Sequence, residues 1–263
     1  MPRFAANLSM LFTELPFLER FGAAAAAGFE GVEWQFAYDV PAQRVREELT
    51  RYSLEPVVFN LPAGDWAAGD RGIAGVPDRI EEFRRDVPRA LEFAMTVGCR
   101  KLHVMAGKEV PGVSRERQLQ VFVDNLRHAS DVVAGAGVEL LIEPINRSVD
   151  IPGYLVAGSV EGMEVVGLVA RANVRLQYDI YHMQITEGDL ARTLERLLPS
   201  IGHIQLADNP GRHEPGTGEI AFDWLLERID ALGYTGWIGC EYRPLRRTID
   251  GLSWARRYLR PQR

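Results

Sequence analysis

Eight short β-prone runs recur along the chain, and a stretch of helical period separates each from the next. They are FAANLS (4–9), GVEWQ (31–35), PVVFN (56–60), KLHVM (101–105), ELLIEPIN (139–146), VRLQYDI (174–180), GHIQLAD (202–208) and GWIGCEY (236–242). Segments such as PFLERFGAAAAAGF, RALEFAMTVG and RQLQVFVDNLRHASDVVAGAG lie between them, with apolar residues returning every three or four positions. Several end at a glycine, Gly28, Gly98, Gly137 and Gly233, where a helix C-terminus takes a left-handed residue. Strict alternation of this kind implies parallel strands joined by crossover helices. In 263 residues with no linker rich in Pro, Ser or charge, the economical closure is an α/β fold. It is a single (β/α)8 TIM barrel spanning 1–263 as one domain. An open dinucleotide-binding sheet lacks its Gly-rich fingerprint here, since GAAAAAG (22–28) carries glycines only at its ends.

Composition narrows the function classes. A net charge of −6 argues against a nucleic-acid binder, which needs a basic stripe for the phosphate backbone. Arg256-Arg257 reads as a solvated helix face. No run approaches the roughly 18 apolar residues of a membrane span, and Asn7, Ser9 and Thr13 interrupt any apolar leader, so the expectation is a cytoplasmic protein without membrane contact. Pairing into a homo-oligomer through the outer helices is compatible with this pattern. Cys99 and Cys240 match no zinc spacing and read as reduced thiols toward opposite ends of the barrel.

In such a barrel the active site forms at the C-terminal strand ends. Four successive strand ends carry oxygen-bearing side chains: Glu143 in LIEPIN, Asp179 in LQYDIYH, Gln205 in HIQLAD and Glu241 in GCEYRP. A carboxylate beside an apolar run is costly unless paired or bound to a cation. Three carboxylates and an amide oxygen at one level are hard ligands, suited to Mg²⁺ or Mn²⁺, with Co²⁺ also compatible. Zinc fits less well without Cys or His at these positions. Gln205, otherwise odd in an apolar strand, becomes a neutral ligand.

Other polar residues near these ends are His182, expected to donate to a substrate oxygen or to a carboxylate behind the metal ligands, and His103, either a core histidine or a substrate contact. His203 shares a strand face with Gln205 and is assigned a structural role lower in the barrel. Arg212 and His213, in the loop after strand seven, are candidates for an anionic substrate group. The segment 61–77, LPAGDWAAGDRGIAGVP, reads as a long βα loop of the kind that forms lids.

The segments FAANLSMLFTELPF, HVMAG, IEPIN, LQYDIYHMQ, HIQLADNPGRHEPGTGEI and GWIGCEYRP together resemble the hydroxypyruvate isomerase family of xylose-isomerase-like barrels, over essentially the whole chain. The resemblance implies a metal at Glu143, Asp179, Gln205 and Glu241, with Glu143 and Glu241 as the proton-transfer pair. It also implies interconversion of hydroxypyruvate and tartronate semialdehyde through an enediolate, a step in glyoxylate metabolism. The related ketose 3-epimerases usually carry His where this chain has Gln205. They also carry an acid six residues after the strand-five Glu, a place held here by Val149 with Asp150 beside it. Three other readings stand beside this one: an isomerase or 3-epimerase of a longer sugar or sugar acid such as 2-oxo-tetronate, a metal-dependent endonuclease, and a sugar-acid sensor without catalysis. Few histidines and the net negative charge disfavour the endonuclease.

Overall fold

In the computed structural model, which describes residues 1–260, eight parallel strands close on themselves in sequence order. They are β1 (Arg3–Asn7), β2 (Gly31–Trp34), β3 (Glu55–Asn60), β4 (Lys101–His103), β5 (Glu139–Ile142), β6 (Val174–Asp179), β7 (Ile201–Leu206) and β8 (Trp237–Cys240). β1 pairs with β2 on one side and with β8 on the other, Ala6 opposite Cys240, so no sheet edge remains. Every β-prone run of the sequence overlaps one of these strands, with β1, β3 and β7 each beginning one residue earlier than its run. The helices are α1 (Phe17–Ala26), α2 (Ala42–Tyr52), α3 (Ile80–Val97), α4 (Arg115–Val133), α5 (Ser159–Val169), α6 (Ile180–Thr186), α7 (Leu190–Leu197) and α8 (Phe222–Ala231). α3 stops at Gly98, whose φ of 82° is left-handed and open to glycine without strain.

Alternation along each strand sorts its side chains between two environments. Outward residues such as Val32, Trp34, Phe59, Leu102, Leu140, Leu176 and Ile204 form the main core against the helices. Trp34 stacks on Phe59 at 5.6 Å between ring centroids, and Phe93 of α3 meets Phe59 edge-on. Such aromatic pairs contribute about 0.5–1.5 kcal/mol beyond the area they bury. Inside the barrel, Ala5, Val57, Val58, Leu141 and Trp237 make a small separate apolar plug. Above the plug the inward positions turn polar, with Glu33, Gln177 and His203 all buried.

The structure departs from regular alternation in two places. The crossover after β6 uses two helices, α6 and α7. After β8 the chain forms 3-10 turns over Thr248–Ala255 instead of an α-helix. A Cβ at Gly251, in the middle of these turns, would lie 2.5 Å from the Glu214 carboxylate, so close packing against the β7–α8 loop shapes this segment. Arg256 and Arg257 are solvated as expected but follow these turns and not a regular helix. Arg257 pairs with Asp223 and Glu227. The long loop after β3 is confirmed, and its second half is not loose: Ile73 and Ala74 are buried, and a Cβ at Gly72 would lie 2.4 Å from the Met105 carbonyl oxygen. Its tip carries Trp66, with the Arg71 guanidinium 4.0 Å over the ring.

Cys99 precedes β4 and Cys240 ends β8. Both are buried and unbridged. Burial pushes the Cys99 thiol up to about 12 and Cys240 well above its ordinary value. Neither thiol should therefore react with a disulfide reagent at pH 8 in the folded protein, and both should react once guanidinium unfolds it.

Candidate active site

Glu143 follows β5, Asp179 ends β6, Gln205 is the penultimate residue of β7, and Glu241 follows β8. Asp179 is the register partner of Gln205, and Gln205 that of Gly239, which places these side chains at neighbouring levels of the C-terminal barrel end. A cavity of about 530 Å³ opens there, lined by Glu143, Glu241, His103, His182, Arg212 and Asp150 among others, with Trp66 and Arg71 of the β3–α3 loop also in its wall. Asp179 and Gln205 are buried at its margin and are not part of the lining. His213 does not line it either: its Nδ1 lies 2.7 Å from the Arg243 carbonyl, which gives it a place in holding the loop instead of the anion-binding place the sequence suggested.

The acids occupy unequal surroundings. Glu143 accepts from Gln177 Nε2 through Oε2 at 3.1 Å, with His103 Nε2 at 3.5 Å, while its Oε1 has no hydrogen-bond partner. Burial, then the charges of Glu241 and Asp179, hold its carboxyl well above the ordinary range. Asp179 caps α6 by accepting from Tyr181 N–H through Oδ1 at 2.8 Å, and its Oδ2 is also without a partner. Burial raises Asp179 to about 7, against the opposing pull of Arg212. Glu241 is better provided for, accepting from Arg212 Nη2 at 2.7 Å, Gln35 Nε2 at 3.1 Å and Asn7 Nδ2 at 3.2 Å. Burial still raises it, with Arg212 opposing.

His182 stands in a determined tautomer. Asn146 accepts the Val149 and Asp150 N–H groups through Oδ1, so its Nδ2 faces Asp150 Oδ2 and His182 Nδ1, each at 2.7 Å. Nδ1 of His182 therefore accepts, and the proton of the neutral ring sits on Nε2, 3.6 Å from Asp179 Oδ2 and 3.7 Å from Glu143 Oε1. Burial, with Arg212 and His103 adding, holds this ring well below its ordinary pKa. Asp150 itself turns into the site, accepting from Arg212 Nη1 at 2.9 Å, while Val149 is exposed. That settles which of the two neighbours supplies the acid.

Arg212 reaches this point from a loop held by one carboxylate. Asp208 accepts the backbone N–H groups of Gly216, Thr217 and Gly218 on Oδ2 and those of Asn209 and Ile220 on Oδ1. At Gly218 a Cβ would come within 2.0 Å of the Asn209 carbonyl oxygen, so only glycine fits. Arg212, at φ 54°, is strained into the left-handed region and extends its guanidinium between Glu241 and Asp150, 3.7 Å from Asp179.

Ligand atoms of Glu143, Asp179 and His182 lie within 4.8 Å of one another. Two of these, Glu143 Oε1 and Asp179 Oδ2, are the buried oxygens without partners, and an oxygen-rich set of that kind fits a hard divalent cation. His182, with its proton on Nε2, fits better as a donor to a bound oxygen than as a ligand.

A family model described as a xylose isomerase-like TIM barrel matches residues 21–258. The chain belongs to that family. Within it, a 2-oxo-tetronate isomerase of Cupriavidus necator is 48% identical over 259 residues, covering 98% of this chain and 99% of that one. The hydroxypyruvate isomerase of Escherichia coli is 47% identical over 254 residues, covering 97% and 98%. The resemblance drawn from the strand-end motifs thus holds along the chain. Among solved structures, a Brucella melitensis protein described as an AP endonuclease of family 2 superimposes with a TM-score of 0.96 at 45% identity, covering 99% of this chain and 100% of that one. The 3-keto-D-glucoside 4-epimerase of E. coli shares the fold at a TM-score of 0.81 and 24% identity, covering 98% and 99%.

Among residues that hydrogen-bond the candidate set through their side chains, Asn7, Glu33, Gln35, Asn60, Asn146 and Gln177 were not singled out from sequence. Glu33 and Gln177 carried the same signal as Gln205, a polar side chain at an inward position of a β-prone run. The others lie in turns or at strand ends whose partners are far away in sequence.

The histidines give a test of this electrostatic description. Burial, then His203, pushes His103 down to about 3, and His182 is lowered as well. The unfolded chain binds protons near pH 6.5 that these folded rings refuse, so the stability they contribute is present above that pH and is lost as pH falls toward about 3. Asp179, raised from 3.8 to about 7, runs the other way, its contribution being lost as pH rises through that window. In NMR titrations of the metal-free protein, the His103 and His182 rings should remain neutral between pH 8 and pH 5, showing no change to the imidazolium pattern of ring-nitrogen shifts.

Proposed function

We propose that the protein is a divalent-metal-dependent isomerase interconverting hydroxypyruvate and tartronate semialdehyde. The observation that carries the reading is the presence of two buried glutamates, Glu143 and Glu241, in the wall of one cavity that Arg212 and a neutral, proton-bearing His182 also line. The kinship with hydroxypyruvate isomerase of E. coli supports the same substrate.

The reaction moves one proton from the CH₂OH carbon to the neighbouring carbonyl carbon and one from the terminal hydroxyl to the former carbonyl oxygen. Nothing is oxidised or reduced outside the substrate. Glu143 and Glu241 are the general acid–base pair that removes the carbon-bound proton from one centre and delivers one to the next. His182 donates through Nε2 to a substrate oxygen, His103 contacts the substrate beside Glu143, and Arg212 pairs with the substrate carboxylate. Glu143, Asp179, Gln205 and Glu241 would hold Mg²⁺ or Mn²⁺, Gln205 through the lone pair of Oε1 that Gln177 leaves free. Bound there, the cation supplies positive charge that favours ionisation of a C–H beside a carbonyl and orients the substrate. A net charge of −6 disfavours a polyanionic substrate such as DNA.

A second reading, a 2-oxo-tetronate isomerase, is favoured by the relatives of that name at 46% and 48% identity and by a cavity of about 530 Å³, roomy for a three-carbon acid. The same acid pair would serve it, and kcat/KM on the two substrates decides between them.

The metal-stripped protein should turn over hydroxypyruvate only after Mg²⁺ or Mn²⁺ is added back, and Glu241→Gln should lower kcat by about 10²–10⁴-fold. No turnover by folded, metal-loaded wild type together with activity on 2-oxo-tetronate would transfer the assignment to the longer acid. Arg212→Ala should raise KM for the acid substrate at least tenfold, and an unchanged KM would remove Arg212 from carboxylate binding.

A further inference from the structure

Glu33 of β2 is fully buried and is not part of the cavity lining. Its Oε2 accepts from His203 Nε2 at 2.7 Å, and its Oε1 accepts from Gln205 Nε2 at 2.8 Å and Asn7 Nδ2 at 2.9 Å. Both oxygens are acceptors in every one of these contacts, and that sets which end each neighbouring amide turns toward them. Gln205 must turn Nε2 to Glu33 and Oε1 away. That oxygen accepts from Gln177 Nε2 at 2.7 Å, and the same Gln177 nitrogen donates to Glu143 Oε2. On the other side Asn7 Nδ2 reaches both Glu33 and Glu241, while its Oδ1 accepts the Ser9 N–H. Two chains of oriented amides thus start at one carboxylate, one ending at Glu143 and the other at Glu241.

The fold reserves space for this group. Gly239 is the register partner of Gln205, and a Cβ there would lie 2.3 Å from Glu33 Oε2. As mere filling for the barrel interior, a buried carboxylate is a poor choice beside an apolar residue of similar volume. His203 meets it through Nε2 alone, its Nδ1 having no hydrogen-bond partner among the described residues.

We propose that Glu33 is the positioning residue of the site, fixing Gln205 and Asn7 and through them the carboxylates of Glu143 and Glu241. This inference rests on the acid–base roles assigned above. Glu33→Gln keeps the volume but sets an NH₂ group against amides that already present theirs.

The test measures kcat, KM, near-UV circular dichroism and Mn²⁺ affinity, the last from the electron paramagnetic resonance of free Mn²⁺. Glu33→Gln should lower kcat at least 30-fold with KM within threefold, and weaken Mn²⁺ binding at least tenfold in a folded protein. The double variant Glu33→Gln/Gln205→Glu, which remakes one hydrogen bond with donor and acceptor exchanged, should regain at least tenfold in kcat over the single one. If Glu33 only stabilises the fold, Glu33→Gln will melt lower yet keep kcat and Mn²⁺ affinity within twofold of wild type, and the proposal is then wrong. A double variant no better than the single one overturns it too. Should Glu33→Gln not fold, Asn7→Ala cuts the chain to Glu241 alone. A kcat at least fivefold below wild type then supports the proposal, and an unchanged kcat refutes it. Wild type that binds Mn²⁺ but ignores hydroxypyruvate counts against the substrate reading only, since the Mn²⁺ comparison reads Glu33 without substrate.

Discussion

The pairing of β1 with β8 makes a site out of separate strand ends. It joins Arg3 to Trp237, Phe4 to Ile238, Ala5 to Gly239 and Ala6 to Cys240. Only this closure brings Asn7 within hydrogen-bonding distance of Glu241, 234 positions away in the chain. A sheet left open there would separate Glu33 from His203 and Gln205 and leave buried polar groups without partners, which costs about 1–3 kcal/mol for each neutral group and more for a charged one. Barrel closure and the polar interior therefore support each other.

Within the closed barrel, the order of layers decides where charge can accumulate. The apolar plug of Ala5, Val58, Leu141 and Trp237 keeps one end dry, and the carboxylates gather toward the other. Their mutual repulsion is offset by Arg212, which bonds Glu241 and Asp150 and approaches Asp179. Because Arg212 enters from the β7–α8 loop, the electrostatics of the strand ends depend on a segment outside the barrel, and that segment depends in turn on five amides converging on Asp208.

Much of this was legible in the sequence, for a physical reason. A carboxylate or amide inside an apolar run is expensive enough to mark itself, and Glu143, Asp179, Gln205 and Glu241 were found that way. All eight strands were found by the same periodicity. Glu33 bore the same mark in GVEWQ but drew no attention, because its partners His203, Gln205 and Asn7 become neighbours only through register across the closed sheet. The orientation of His182 depended on Asn146, whose hydrogen bonds come from a turn that no periodicity describes. The 3-10 turns after β8 were missed for a related reason: contact between Gly251 and Glu214 shapes them, and propensity does not. His213 was misplaced because a polar loop residue near a site need not face it.

Asp179 ends a strand and Glu143 and Glu241 directly follow theirs, whereas Trp66, Arg71 and Arg212 stand on loops fastened at their bases by Asp208 and by the buried Ile73–Ala74 pair. The buried acids and the loop residues that wall the cavity above them thus come from different parts of one chain. The tips of these two loops could therefore be exchanged, and the cavity wall reshaped, without disturbing the register of the eight strands.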